Sequence, residues 1–301
     1  MRLQAATPMF RLALDKVMTR ACMQPFRFLV ALAAATAVTA SMGSAARAAS
    51  IELAAHRAVY DLTLARATGK RQIVAVRGRI LYDFSGSSCE GYALQFRQVS
   101  ELDSGEGKVT LSDLRATTWE DGAAKTFKFA SQNYLDQQAV DTVDGQAERR
   151  PDSVSVSLSK PRTKEFALDA GMVFPAEHMR RIIEAARAGT SILELPVYDG
   201  SETGEKVFNT LTVIGREIDP SEKPMNDAAA SHPELAGLKR WPVTISYFDR
   251  TSASGEQTPV YSLSFEVLEN GISRALSLDY GDFVVSGHMT QLDLKEAKPC
   301  Q

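Results

Sequence analysis

Four histidines are the residues of this sequence best suited to bind a metal: His56, His178, His232 and His288. A zinc site needs His, Cys or acidic ligands at characteristic spacings, and none of the four has such a partner nearby in the chain. His178 follows Glu177, but the H-E-x-x-H arrangement is absent. We therefore predict no metal site and no cofactor, and we expect His178 to bond a neighbouring strand or loop.

A serine-containing stretch, DGSETG from Asp199 to Gly204, is the nearest approach to a nucleophile motif. It lacks the G-x-S-x-G spacing and the strand–helix context of a hydrolase, and its Asp and Gly are typical of a tight turn. No C-x-x-C pair and no glycine-rich loop before a helix is present. We predict that the protein is not an enzyme and has no catalytic residues. A pair of acids remains an open alternative, because sequence spacing does not show pairing in space.

The first 48 residues have the composition of a secretory signal peptide. Five basic residues precede an apolar run from Phe28 to Ala40, and Ala46 and Ala48 form an A-x-A cleavage pattern. The run is too short to span a membrane. We predict export of one domain, residues 49–301; the alternative is a buried N-terminal helix.

Cleavage would change both the charge and the cysteine content. The leader contains six basic residues and one acidic residue, so 28 basic and 36 acidic residues remain, a net charge of −8. This acidity disfavours nucleic acid as a partner and gives no general attraction to anionic lipid headgroups. The leader also holds Cys22, so Cys89 and Cys300 remain. In an oxidising compartment these two can form an intrachain disulfide, which we predict; two free thiols or a bridge between chains are the alternatives.

Alternation of apolar and polar residues dominates the rest of the chain. Tyr261, Leu263, Phe265 and Val267 alternate with polar residues, and similar runs occur around residues 60–64, 80–84, 154–158 and 243–247. Such runs indicate strands with one buried face. Asp-Gly pairs at 121–122, 144–145 and 199–200 and Asn-Gly at 270–271 predict hairpin turns. We predict a mainly all-β fold, a large antiparallel curled sheet or open barrel of about twelve to fourteen strands.

Two segments break this pattern. In FPAEHMRRIIEAARAG, an apolar stripe of Met179, Ile182, Ile183 and Ala186 predicts a helix that starts near Pro175 and stops at Gly189. We expect Glu177 to pair with Arg181 on its wet face, and the stripe to lie across the open face or mouth of the sheet. The second segment, residues 219–237, predicts a long loop that is functional or mobile.

Aromatic residues are frequent on the predicted strands, and two interpretations stay open. They are Tyr60, Tyr82, Phe84, Tyr92, Phe96, Trp119, Tyr247, Phe248, Tyr261, Phe265 and Tyr280. Ordinary core packing is one interpretation. The other is a groove for lipid, glycan or peptide, since a curled sheet of this size can enclose more space than its side chains fill.

Five stretches together resemble the alphaproteobacterial cell envelope integrity protein B family, long known only as a domain of unknown function. They are GRILYDFSGSSCEGYALQFR, FPAEHMRRIIEAARAG, VYDGSETGEKVFNTLTVIG, WPVTISYFD and NGISRALSLDYGDFVVSGHM, between Leu53 and Cys300. The resemblance implies a protein in the periplasm of a Gram-negative bacterium that supports envelope integrity and stress resistance. It also implies a β-spiral of about fourteen strands around one helix, with a Cys89–Cys300 disulfide.

Three functions follow as hypotheses. The first is a non-enzymatic scaffold or binding module that contacts another periplasmic envelope protein or a cell-wall or lipid component. The second is a carrier of a lipid or other apolar ligand in the concavity of the sheet. The third is an envelope hydrolase. We expect no membrane span in the mature chain.

Overall fold

A computed structural model describes residues 51–67, 73–105, 107, 109–219, 222, 227–229, 232–250 and 258–296. Within these ranges lie fourteen β-strands, one α-helix and one short 3-10 helix, so the predicted mainly-β fold is confirmed. The predicted signal peptide, residues 1–48, and Cys300 lie outside the described residues.

The elements follow one another with short connections. The strands are β1 (His56–Ala67), β2 (Ala75–Ser87), β3 (Gly91–Asp103), β4 (Val109–Glu120), β5 (Thr126–Leu135), β6 (Gln138–Arg149), β7 (Ser153–Lys160), β8 (Lys164–Asp169), β9 (Ile192–Val197), β10 (Phe208–Ile214), β11 (Arg240–Asp249), β12 (Tyr261–Leu268), β13 (Ser273–Asp279) and β14 (Phe283–Leu294). The helix α1 (Pro175–Arg187) connects β8 to β9, and the 3-10 helix (Pro233–Leu235) precedes β11.

All fourteen strands form one sheet in which each neighbouring pair is antiparallel. The order is β8-β7-β6-β5-β4-β3-β2-β1-β14-β13-β12-β11-β10-β9, with β1 near the centre. A twisted sheet of this many strands curls, which gives it a concave and a convex face. Because β8 and β9 are the two edges of the sheet, α1 connects one edge to the other.

The antiparallel order places the turns at two ends of the sheet. One end, called here the helix end, carries the turns at residues 88–90, 121–125 and 269–272, and α1 contacts the last two of these turns through Arg180 and Arg187. The opposite end, called the mouth end, carries the turns at 136–137, 161–163, 198–207 and 280–282.

The predicted helix is confirmed together with its apolar stripe. Ile182 and Ile183 are fully buried, Ala186 is buried, and Met179 is half-buried against the same cluster. Pro175 occupies the first turn, where its missing N–H costs nothing, and Gly189 just beyond the helix has a φ of +73°.

The predicted pair on the wet face of the helix also forms. Arg181 Nη2 lies 3.3 Å from Glu177 Oε1.

One of the four predicted turns is wrong. Asp121–Gly122, Asp199–Gly200 and Asn270–Gly271 lie in turns. Asp144–Gly145 instead lies inside β6, where the register against β7 shifts. A Cβ on Gly145 would come within 2.7 Å of Leu158 and 2.9 Å of Phe129. Close packing across the sheet, rather than chain reversal, therefore requires the glycine.

The predicted long loop, residues 219–237, contains both exposed and buried residues where it is described, and the buried ones pack against the core. Asp227 forms an ion pair with Arg274 at 3.1 Å, and the two side chains are 1% and 3% exposed. Ala229 and Leu235 join the hydrophobic cluster between β1, β2 and β14. The buried ion pair and these apolar contacts hold this part of the loop against the sheet.

Cys89 and the end of β14 lie at the same end of the sheet. Cys89 is in the β2–β3 turn, and β1 separates β2 from β14, with His56 opposite both Phe84 and Leu294. Lys295 continues this register, since its N–H donates to Ala55 O at 2.8 Å and its ammonium group pairs with Asp83. Cys300 lies five residues after Lys295, and an extended chain of that length reaches up to about 17 Å. The pairing itself stays a prediction.

We expect Cys89→Ser to lower the melting temperature of the oxidised protein by several degrees. The physical reason is the loss of a cross-link over a long loop, roughly 2–5 kcal/mol in a domain of this size. Thermal unfolding followed by circular dichroism measures the effect. Cys300→Ser and the double variant should melt at the same temperature as Cys89→Ser, and reduction should lower the parent to that value. Equal melting temperatures of the parent and the variants under oxidising conditions would contradict the pairing.

Candidate functional site: an aromatic cavity beneath the helix

A cavity of about 650 Å³ lies between the concave face of the sheet and α1. Pro175, Ala176, Met179 and Ile182 contribute the helix wall, and inward side chains of strands from both halves of the sheet contribute the rest. The volume is within the roughly 300–1,000 Å³ typical of small-molecule sites. The helix, whose stripe was predicted to cover the open face, is thus one wall of an enclosed space.

Two ladders of aromatic rings lie along the cavity, and all their members except Phe208 and Phe283 line it. The first, near the helix end, contains His56, Tyr82, Phe84 and Tyr92, with successive ring centroids 5.4, 6.1 and 5.4 Å apart. The second, near the mouth end and called here the mouth ladder, contains Phe208, Tyr247, Tyr261, Tyr280 and Phe283, with spacings of 6.0, 5.8, 5.2 and 5.1 Å. Such offset and tilted contacts stabilise the rings while they leave one side of each available.

Most of the aromatic residues on the predicted strands line the cavity, and a ligand for that wall stays a prediction. Nine of the eleven line the cavity, namely Tyr60, Tyr82, Phe84, Tyr92, Phe96, Tyr247, Tyr261, Phe265 and Tyr280. Trp119 and Phe248 do not line it. Trp119 has the opposite parity to Thr118 and Glu120 on β4, so it lies on the convex face, where Lys128 covers its ring at 5.6 Å.

Glu120, the last residue of β4, caps the first turn of the helix. Its Oε2 accepts a hydrogen bond from Ala176 N at 2.6 Å, and its Oε1 accepts one from Glu177 N at 2.7 Å. The residue at the local cap position, Phe174, provides no side-chain bond. The first-turn amides of a helix lack internal partners and carry partial positive charge, so a carboxylate supplied by the sheet satisfies both needs.

Arg149 at the end of β6 holds the same region of the helix. Its guanidinium donates to Ala124 O at 3.0 Å, to Ala170 O at 2.9 Å and to Glu177 Oε2 at 2.8 Å. It also lies over the Phe174 ring at 5.1 Å. Two connecting segments and the first turn of α1 are thereby tied together.

Burial raises the pKa of Glu120 to about 7, although the two amide bonds and the charge of Arg180 oppose this rise. The loss of hydration of the anion outweighs the stabilisation by its partners. The carboxyl of Asp199 near the mouth is also raised in pKa, first by burial, while its Oδ1 accepts the Ser201 N–H at 2.9 Å. Two acidic side chains with raised pKa values therefore line the cavity.

The two histidines of the cavity are structural in their contacts. His56 Nδ1 bonds Ala54 O at 2.7 Å, and burial lowers the pKa of the ring. His178 Nε2 lies 3.5 Å from Thr210 Oγ1 on β10, and burial lowers its pKa to about 4. The expectation that His178 bonds a neighbouring strand is confirmed.

The other sequence candidates are dispersed. His288 lies on the exposed side of β14, and His232 precedes the 3-10 helix. Across the ranges that the structure describes, no three His, Cys, Asp or Glu side chains meet as a possible metal site. DGSETG is a turn, as predicted, with Gly200 and Gly204 in the left-handed region.

The charge of the cavity wall is one-sided. Among the described residues that line the cavity none is Lys or Arg, whereas two, Glu120 and Asp199, are acidic. Of the same residues only Tyr280 is exposed, with 38% of its surface accessible, and it lies in a turn of the mouth end. Tyr280 therefore marks an accessible part of the cavity wall at the mouth end.

Sequence reasoning missed the residues that organise this site. Glu120 acts on a helix that begins 55 residues later, so no local capping motif reveals it. The hydroxyl groups of the mouth ladder come from β11, β12 and the β13–β14 turn, and their proximity depends on strand order. The aromatic alternation on β2 and β12 was the available signal.

Comparisons with known proteins agree with this architecture. The family model described as EipB-like matches residues 47–296. A cell envelope integrity protein EipB of Brucella abortus (strain 2308) is 37% identical over 274 residues, which cover 89% of this chain and 95% of that protein. A crystal structure of a beta-barrel-like protein of domain of unknown function DUF1849 from Brucella abortus has a TM-score of 0.75 and 35% identity, and it covers 82% of this chain and 100% of that one.

Among the described residues, no helix has both the length and the apolar composition that a membrane span requires.

We expect Glu120 to make stability depend on pH between its two pKa values. The pKa is 4.5 without perturbation and about 7 in the folded protein, so the folded state holds the extra proton in this window. The stabilisation from Glu120 is complete below pH 4.5 and is lost as the pH rises through 7. Chemical denaturation of the parent and of Glu120→Gln across this pH range measures the effect. The unfolding free energy of the parent should fall relative to that of the variant as the pH rises.

The matched control is Glu184→Gln, at an exposed position of the same helix. Its difference from the parent should not vary with pH. If the difference in unfolding free energy between the parent and Glu120→Gln also stays constant with pH, the raised pKa of Glu120 is wrong.

Proposed function

The chain belongs to the EipB-like family, and from this premise we propose that it supports cell envelope integrity in the periplasm as a non-catalytic binding module. The related protein of Brucella abortus carries envelope integrity in its name. A periplasmic location agrees with the signal-peptide pattern of residues 1–48 and with two cysteines in the remainder of the chain.

The cavity is the observation that carries the binding role. A sheet whose only task was to present an outer surface would gain stability by filling its concavity with side chains, because empty apolar volume costs free energy. This sheet instead surrounds about 650 Å³, lined mostly by aromatic and aliphatic groups. Glu120 and Arg149 fix the start of the helix beside that space, and the buried stripe of the helix packs next to it.

The contacts of the cavity residues support a non-catalytic role. General acid–base or nucleophilic chemistry needs a base held beside a nucleophile or a water. Glu120 is occupied by two helix amides, Asp199 by a turn amide, and His178 by Thr210. Each of these polar groups is engaged in holding the fold together.

The cavity favours a ligand carrier as the more specific form of this function. An apolar space closed on one side by α1 and accessible at the mouth end suits a lipid or another apolar molecule, because burial of apolar surface supplies the affinity. A scaffold that acts only through contact with an envelope protein would leave the cavity without a purpose.

We expect Leu114→Trp to abolish the function while the fold remains. Leu114 lines the cavity on β4, so a larger ring there would occupy the space of a ligand. Leu111→Trp is the matched control, since Leu111 is on the opposite face of the same strand. A strain without the gene should be sensitive to detergent, and the Leu111→Trp protein should restore resistance whereas the Leu114→Trp protein should not.

Equal export and equal melting temperatures of the two variants are required for this comparison. Full restoration by Leu114→Trp would reject the cavity as the functional site. A deletion strain as resistant as its parent to detergents and cell-wall antibiotics would reject the envelope role.

A further inference from the structure

The two ends of the cavity differ in chemistry. Toward the middle of the helix the wall includes the buried apolar side chains Phe84, Ile182 and Phe265, whereas Glu120 and His178 line it beside the first turn. At the mouth end the wall consists of the tyrosines of the mouth ladder, which project phenol groups from β11, β12 and the β13–β14 turn. A space that is apolar at one end and rich in hydroxyl groups at the other matches a molecule with an apolar chain and a polar head.

Two of these hydroxyl groups have no hydrogen-bond partner in the part of the chain that the structure describes. Tyr60 OH donates to Ser273 O at 2.6 Å, and Tyr280 OH accepts from Gln98 Nε2 at 3.4 Å. Tyr247 and Tyr261, whose rings are 5.8 Å apart, make no comparable bond. Burial raises the pKa of both, so each remains a neutral hydroxyl that can donate and accept.

The surface that these two tyrosines leave accessible faces the cavity. Both line it, and both are half-buried although their hydroxyl groups are strongly desolvated. Each hydroxyl can still donate and accept a hydrogen bond, so a ligand that bonds to these hydroxyls gains affinity at that position.

The wall also discriminates by charge. A carboxylate or phosphate head would enter a space without a lining Lys or Arg, and at the mouth it would approach the acid Asp199, which lies close enough to perturb Tyr247. An anion moved from water into such surroundings loses its hydration without a compensating cation. An uncharged head with hydroxyl groups avoids this cost and can bond the phenols.

We infer, on the basis of the binding role proposed above, that the ligand is a single-chain amphiphile with an uncharged, hydroxyl-bearing head. The head bonds Tyr247 and Tyr261 at the mouth, and the chain extends toward Ile182 beneath the helix. Tyr247 and Trp241 are six residues apart on β11 and face the same side. The strand therefore spans about 20 Å between mouth and helix end, enough for one extended acyl chain.

The first test compares two amphiphiles with the same chain. The neutral dye N-phenyl-1-naphthylamine is bound to the mature protein at about pH 8, where a fatty acid is ionised, and is then displaced by 1-tetradecanoylglycerol or by tetradecanoate. We expect the uncharged glycerol ester to displace the dye at a concentration at least tenfold lower. Equal potency, or greater potency of the anion, would overturn the inference. Failure of dye and both amphiphiles to bind would instead reject the proposed binding role.

The second test removes the hydroxyl groups and keeps the rings. The double variant Tyr247→Phe/Tyr261→Phe should bind the glycerol ester about tenfold more weakly and the dye unchanged, because two neutral hydrogen bonds are lost. Tyr134→Phe is the control, since the Tyr134 hydroxyl bonds Gln132 away from the cavity. Unchanged affinity of the double variant for the ester would contradict the assignment of the head group.

The third test measures orientation with the two tryptophans of the chain. Trp241 lies on the cavity side near the helix, and Trp119 lies on the convex face. In Trp119→Phe, a glycerol ester brominated at the end of its chain should quench the remaining Trp241 more strongly than an ester brominated next to its head. Trp241→Phe, which leaves Trp119, should show little quenching by either. The reverse order in Trp119→Phe would contradict the proposed direction.

Discussion

Two hydrogen bonds from the first turn of the helix to Glu120 are the constraint on which the remaining architecture depends. They connect the end of a strand inside the sheet to a helix that lies between the two sheet edges. The bonds fix where the helix begins, and Arg149 fixes the segments around it. Because the helix starts there, its apolar stripe meets β9 and β10 and the cavity remains beneath it. The raised pKa of Glu120 is the energetic cost of placing this carboxyl where water is scarce.

The two open edges of the sheet are a second consequence of this connection. An edge strand exposes unpaired backbone groups that can join other chains. Here Val173, just before the helix, forms a parallel bridge to Val197 of β9. The Val173 N–H donates to Pro196 O at 2.9 Å, and Val173 O accepts from the Tyr198 N–H at 3.0 Å. Arg250 also reaches Asp169 at the end of β8, at 3.1 Å. The segment between β8 and α1 therefore covers part of the edge strand β9. The curled sheet protects this edge without closing into a complete barrel.

The cavity follows from the same geometry and distinguishes this fold from a packed core. Apolar side chains fill the region between β5 and β8 and the region around β1 and β14. Along the cavity wall aromatic rings contact one another, as in the pairs Phe84–Tyr92, Tyr247–Tyr261 and Tyr261–Tyr280. A ring ladder of this kind is stabilised by its own contacts, so the space beside it can remain open. The chain belongs to a family named for envelope integrity, and its cavity combines apolar side chains with a hydroxyl-rich end. Both features support the proposal of a binding protein for amphiphiles.

The sequence alone determined the elements with strong local signals. These signals depend on residues within a few positions of one another, and each predicted its element correctly. They are the alternation on strands such as β7 and β12, the stripe Ile182–Ile183–Ala186 and the stop at Gly189. Asp144–Gly145 shows the limit of such signals, because the same dipeptide serves a turn or a close contact with Leu158 according to what lies opposite. Only the tertiary structure decided that Glu120 caps the helix, that Tyr247 and Tyr261 face one cavity, and that β14 returns beside β1. These contacts join residues tens to hundreds of positions apart, and their existence depends on strand order and sheet curvature, which no local pattern encodes.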